Sequence, residues 1–217
     1  MKKYVLVFFS LLSLNGILLN LSAQDIILLS PDKTGGKPLM QALNERQTIR
    51  SFTKDSLSQQ QLSDLLWAGW GINRADQKKR TAPSSRNMQE IDVYVALPLG
   101  LYLYVAESNL LKQINKKDLR KLTGSQPFVA EAALNIVYVA DMGKLGKKEG
   151  DEITDSDLLS SWANAAFIAQ NIYLYCASAN LGCVVRGMVP DVQLAPEMEL
   201  RSNQKIIFAH TVGVPEK

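Results

Sequence analysis

The sequence predicts one α+β domain, an antiparallel or mixed sheet built around a single long buried helix. Three observations carry this. Residues 134–140 are almost purely apolar and short, as in a strand covered on both faces. Residues 91–96 and 101–105 are strand-like runs joined through Pro98-Leu99-Gly100, which reads as a hairpin. Residues 157–179 are apolar on nearly every face, the pattern of a helix enclosed all round.

The remaining elements follow in chain order. Lys2 and Lys3 precede an apolar run over 4–14 that continues to Leu21, and Ser22-Ala23 then meets Gln24-Asp25. A charged start, an apolar stretch and a small residue at the cut predict an export signal over 1–23 and a domain over 24–217. An uncleaved anchor is the alternative, but Asn15 and Gly16 interrupt the run, and a span needs about 20 apolar residues. No cysteine follows the run to suggest a lipid anchor. Removing the signal and its two lysines takes the formal charge from +3 to +1 and implies an exported, periplasmic protein.

Residues 24–37 are extended and turn-rich. Pro38 suits a first helical position, and Leu39, Met40 and Leu43 form one apolar stripe of a helix ending near Arg46. Ser58 and Gln61 make a capping box for a second helix, whose apolar face is Leu62, Leu65, Leu66 and Trp70; Gly69 and Gly71 loosen its end. Residues 73–90 read as a functional loop, and residues 109–122 as short helical turns. Residues 141–157 are the most polar stretch and read as a solvated, mobile connection or as a lid over a pocket. Asn180 and Gly182 suit a helix end. Strands are expected at 183–189 and 205–213, with His210 on one face beside Ile206, Phe208 and Val212 as a structural, hydrogen-bonded histidine.

Composition narrows the chemistry. Hydrophobic residues make up 47% and charged residues 21%, as in globular domains. One histidine and two cysteines exclude a zinc finger, a histidine-rich metal site and a disulfide scaffold. A charge this small points to no nucleic acid. On one continuous helix Cys176 and Cys183 would stand about 10 Å apart along the axis, too far to bridge, which predicts two buried free thiols.

Three short stretches carry chemistry. Arg46-Gln47-Thr48-Ile49-Arg50 puts two guanidinium forks and a hydroxyl at a helix–loop junction, a set that suits phosphate oxygens. Ser84-Ser85-Arg86-Asn87 offers small residues for close approach and an amide for the edge of a heterocycle. Leu181 to Met188, glycine-punctuated after the long helix, could turn backbone amides toward a cofactor. No nucleophile-elbow sequence is present to make His210 part of a hydrolase.

In this order and spacing the three stretches resemble the FMN-dependent nitroreductase family. The residues 57–62, 65–74 and 128–132, and Ala169-Gln170-Asn171-Ile172 with the Leu181-Gly182 exit, share the likeness. Within the family they look like the subgroup of thiazoline and oxazoline dehydrogenases. The resemblance implies a mostly antiparallel central sheet flanked by helices around a buried central helix, in a homodimer with FMN at the subunit interface. It implies that Arg46, Gln47, Thr48 and Arg50 hold phosphate and ribityl chain. Ser84, Ser85 and Asn87 line the flavin, and Arg186 and Gly187 sit beside its ring. The activity implied is two-electron transfer to or from a small electrophile such as a nitroaromatic or quinone. The alternative is a non-catalytic relative that binds a ligand or only dimerises.

Three features depart from the family pattern. The chain stops at Lys217 where relatives carry a basic residue closing on the phosphate. Arg186 replaces an acidic or small residue: its side chain either lies beside the ring, where it would favour a reduced anionic flavin, or points to solvent while its backbone meets the flavin. Export would separate the protein from cytosolic nicotinamide donors.

Overall fold

In the computed structural model the described residues are 24–216, so the expected export signal and Lys217 lie outside them. Nine strands and four α-helices are formed among these residues: β1 (Ile26–Ile27), α1 (Leu39–Glu45), α2 (Gln59–Trp70), β2 (Ile72–Arg74), β3 (Lys79–Arg80), β4 (Ile91–Leu97), β5 (Gly100–Val105), β6 (Leu110–Asn115), β7 (Leu134–Asp141), α3 (Asp155–Ser178), β8 (Gly182–Arg186), α4 (Asp191–Glu197) and β9 (Gln204–Gly213). Seven strands make one sheet in the order β1-β6-β5-β4-β7-β9-β8, with every neighbouring pair antiparallel. β2 and β3 form a separate hairpin within the stretch expected to be loop.

β7 is buried along its whole length, as its apolar run predicts. The main core lies between the sheet and the α2–α3 pair, and includes Leu65, Leu66, Ile136, Tyr138, Ile168 and Ile172. A second cluster, with Tyr94, Val137, Leu194 and Met198, fills the opposite face beneath α4. The capping box of α2 forms as expected: the Gln61 N–H donates to Ser58 Oγ and the Ser58 N–H to Gln61 Oε1. Gly69 has a packing role rather than a loosening one, since a Cβ there would lie 2.7 Å from Ile172 Cδ1.

Four expectations are corrected. Residues 110–115 are a strand, not helical turns: Leu111 faces the core while Lys112 faces out, and pairing with β5 decides the backbone. α3 is not enclosed all round. Ser161, Asn164, Ala165, Ile168, Ala169, Ile172 and Cys176 are buried, but Leu159, Trp162, Ala163, Ala166 and Phe167 form an exposed apolar stripe. The apolar stripe of α1 also faces outward, and only Ala42 is buried. A register shift between β7 and β9 breaks the alternation expected around His210. Ile207 joins Phe208 and Val212 in the main core, whereas Ile206 packs on the other face.

The polar stretch after β7 is exposed but pinned. Lys144 pairs with Asp92 at 2.7 Å, Lys147 with Asp157 at 2.8 Å, and Arg201 with Asp141 at 2.7 Å. Helix α4, which no sequence signal announced, follows Pro190 and carries Pro196 within it.

Candidate functional site

α1 ends because Arg46 turns extended, with ψ 120°. The strand-like segment that follows is tied on both sides. The Ile49 N–H donates to the Cys183 carbonyl at 3.0 Å, and the Thr53 N–H to the Val214 carbonyl at 2.9 Å. Gly182 permits this approach: a Cβ there would lie 2.9 Å from Ile49 Cγ2. Ser51 and Glu216 close the end of the seam through backbone and side-chain hydrogen bonds.

Beside this segment lies a cavity of about 430 Å³ walled by Arg46, Gln47, Lys37, Cys176, Asn180 and Pro215. Lys37 Nζ is already engaged, donating to Glu45 at 2.6 Å, Asn180 Oδ1 at 2.7 Å and the Ala177 carbonyl at 2.9 Å. The Lys37 hydrogen bond holds the Glu45 carboxyl below its ordinary value. The Arg46 guanidinium, by contrast, sits 5.4 Å over the Tyr173 ring and has no hydrogen-bond acceptor among the described residues. The cavity therefore presents uncommitted N–H donors on a fixed cation, a set that fits a phosphate. Thr48 Oγ1 lies 3.3 Å from the Tyr173 hydroxyl, which also accepts the Val185 N–H at 3.0 Å. Tyr173 thus joins Arg46, Thr48 and the end of β8. Arg50 is exposed.

Ser84, Ser85 and Asn87 form a second cluster. The Ser85 N–H donates to Asn164 Oδ1 of α3 at 3.1 Å, and the Gln89 N–H to Ser84 Oγ at 3.1 Å. Asn164 is itself held by Glu90, a fully buried carboxylate that accepts from Asn164 Nδ2 at 2.8 Å and Ser161 Oγ at 3.0 Å. Arg86, Asn87 and Gln89 all have φ near +50° (49°, 57° and 50°). Three left-handed non-glycine residues in one loop store strain of the kind found at functional sites.

Asn164 and Tyr173 are nine residues apart on α3, or about 13 Å along its axis. The cavity beside Arg46 is not lined by Ser84, Ser85 or Asn87 of the same chain. Gly187 follows β8, and a Cβ there would meet open space.

Arg186 is the clearest correction. Its side chain reaches neither solvent nor the face of β8 that Tyr173 touches; only 5% of the residue is exposed. It donates to Thr211 Oγ1 at 2.9 Å, the Thr123 carbonyl at 2.6 Å, Thr123 Oγ1 at 3.2 Å and Asn135 Oδ1 at 3.2 Å. Alternation along β8 explains this, because Cys183 and Val185 face α3 and Arg186 faces away. Only its backbone remains available to a ligand beyond β8.

Lys37, Asn164, Tyr173 and Asn180 escaped sequence reasoning. Each has at least one partner distant in the chain, such as Tyr173 with Thr48 and Asn164 with Ser85. His210 is fully buried, with Nδ1 3.2 Å from the Tyr138 hydroxyl, which is the structural setting expected for it.

Comparison with known proteins gives a consistent pattern. Residues 43–214 match the description Nitroreductase family. A curated nitroreductase homologue, MJ1384 of Methanocaldococcus jannaschii, is 22% identical over 173 residues, covering 75% of this chain and 85% of its own. Among solved structures, a nitroreductase homologue from Ralstonia eutropha JMP134 is 42% identical with a TM-score of 0.81, covering 89% of this chain and 90% of its own. A further homologue, from Desulfovibrio desulfuricans and in complex with FMN, shares the fold at 20% identity with a TM-score of 0.59, covering 84% of this chain and 89% of its own.

Proposed function

This chain belongs to the nitroreductase family, and on that premise we propose that it is an oxidoreductase that holds FMN. In this reading it passes two electrons to or from a small electrophile such as a nitroaromatic or a quinone. The observation that carries the reading is Arg46, a half-buried guanidinium with no hydrogen-bond acceptor among the described residues, facing a cavity of about 430 Å³. Bound FMN would supply reversible hydride transfer, and the protein supplies position and charge.

Arg46 and Arg50 would hold the FMN phosphate, and Gln47 and Thr48 the ribityl chain. Ser84, Ser85 and Asn87 would line the flavin ring, and the Glu90–Asn164 pair holds their loop. Gly187 leaves room at the end of β8. The Arg46–Arg74 likeness supports a place near the thiazoline and oxazoline dehydrogenase subgroup.

The site is shared between two copies of the chain. Two observations support this: the two clusters stand apart in one chain, and the apolar stripes of α1 and α3 face outward, with Leu159 74% exposed. A symmetric dimer covers those stripes and brings one copy's Ser84 loop to the other copy's Arg46.

The purified protein should be yellow with flavin absorbance. A charge-assisted hydrogen bond contributes roughly 1.5–3 kcal/mol, so Arg46→Ala should weaken FMN binding about 10- to 100-fold. A colourless wild-type protein that ignores added FMN would favour a non-catalytic relative, and a variant retaining wild-type affinity would remove Arg46 from the site. Residues 1–23 act as an export signal in this proposal. N-terminal sequencing should find Gln24 first, and Met1 on the mature product would overturn it.

A further inference from the structure

Tyr173 stands where α3 meets the Arg46 segment and the end of β8. Its hydroxyl accepts the Val185 N–H at 3.0 Å and lies 3.3 Å from Thr48 Oγ1. Its ring centroid is 4.8 Å from that of the fully buried His210 on β9. The Arg46 guanidinium lies 5.4 Å from the centroid of the same ring. Tyr173 does not itself wall the cavity beside Arg46. Whatever it does for a ligand there, it does through Arg46 and Thr48.

Lys37 and Arg46 both line that cavity, and they are held in different ways. Lys37 Nζ donates to Glu45, Asn180 and the Ala177 carbonyl, so its donors are spent. Arg46 is held by an aromatic ring. A ring attracts a guanidinium through its negative face and accepts none of the N–H bonds at the cation's edge. A carboxylate in its place would hold the side chain but occupy the fork that a phosphate needs. The aromatic contact therefore fixes the cation and leaves its donors free.

We propose that Tyr173 is a positioning residue that makes the site prefer a phosphorylated ligand. Its ring holds Arg46 in place to read the phosphate, and its hydroxyl sets Thr48 and the end of β8. This rests on the FMN reading above and adds to it what selects FMN over riboflavin, the same flavin without its phosphate. The Val185 N–H fills one acceptor position of the phenol oxygen. The phenol proton turns to Thr48 Oγ1, and Thr48 keeps its own proton for a ribityl oxygen. His210 packs against the ring and limits its swing.

The test is direct binding, read from the quenching of flavin fluorescence. The full-length protein, freed of bound flavin by dialysis, is titrated with FMN and with riboflavin. The wild type should bind FMN more tightly than riboflavin. Tyr173→Leu removes ring and hydroxyl and should cut that preference about 3- to 30-fold, the range of a cation–π contact. Tyr173→Phe keeps the ring, so the preference should hold while both ligands weaken together about 2- to 10-fold for the lost hydroxyl. Phenylalanines of increasing fluorine content at position 173 keep the ring shape and drain its negative face. The preference should then fall stepwise, and this series decides the matter even where Tyr173→Leu fails to fold. A preference unmoved by fluorination overturns the proposal, as does a Tyr173→Leu protein that loses FMN and riboflavin in equal proportion. A wild type that binds both flavins equally overturns it while flavin binding stands. A wild type that binds neither defeats the FMN reading itself, and the proposal with it.

Discussion

A guanidinium enclosed without a carboxylate beside it is stable only if hydrogen bonds replace its lost water. Arg186 meets that demand with four acceptor contacts from Thr123, Asn135 and Thr211, and burial alone lowers its pKa to about 10. Thr211 Oγ1 in turn donates to Asn135 Oδ1, and Asn135 Nδ2 to the Val129 carbonyl at 2.8 Å. The cluster stitches β7, β8 and β9 to the turn at Thr123. Arg186→Met removes the cation but leaves buried acceptors unmatched, each at about 1–3 kcal/mol before relaxation. Urea unfolding should show a loss of roughly 2–4 kcal/mol. The reduction potential of any bound flavin should be unchanged; a potential that shifts while stability holds would return Arg186 to an electronic role.

At the scale of elements, α3 depends on how it starts. Thr154 and Asp157 form a capping box, and Lys147 anchors Asp157 at 2.8 Å. The Lys147 hydrogen bond, followed by those from Thr154, lowers the Asp157 carboxyl from about 3.8 to about 2. A carboxylate depressed in the folded state stabilises it above the ordinary value and loses that effect as pH falls toward the folded one. Thermal stability should therefore drop between about pH 4 and pH 2, and Asp157→Asn should remove that part of the drop. An identical acid profile for both proteins would show that the α3 start contributes nothing. The same helix explains Gly69, where α2 approaches Ile172 too closely for a side chain.

The whole molecule leaves two apolar stripes uncovered, one on α1 and one on α3. Patches of that kind on a folded chain mark interfaces. Light scattering should give about twice the chain mass. Phe167→Glu, which places a charge in the α3 stripe, should halve that mass and lower FMN affinity with it, while secondary structure by circular dichroism stays intact. A dimer that survives the substitution would move the interface elsewhere.

The antiparallel sheet, the hairpin at Pro98-Leu99-Gly100, the capped α2 and the long α3 were legible in the sequence because each rests on local signals: periodicity, turn residues and caps. The Arg46–Arg50 and Ser84–Asn87 stretches stood out for the same reason, through residue types crowded into a few positions. Tertiary structure alone decided three things. It set which way Arg186 points, because strand alternation matters only once the sheet has two distinct faces. It put Cys176 and Cys183 on different elements, because α3 stops at Ser178 and a left-handed turn at Asn180 carries Cys183 onto β8. It turned the α1 and α3 stripes outward, because apolar periodicity states that a face must be covered and says nothing of whether its own chain or a second copy covers it.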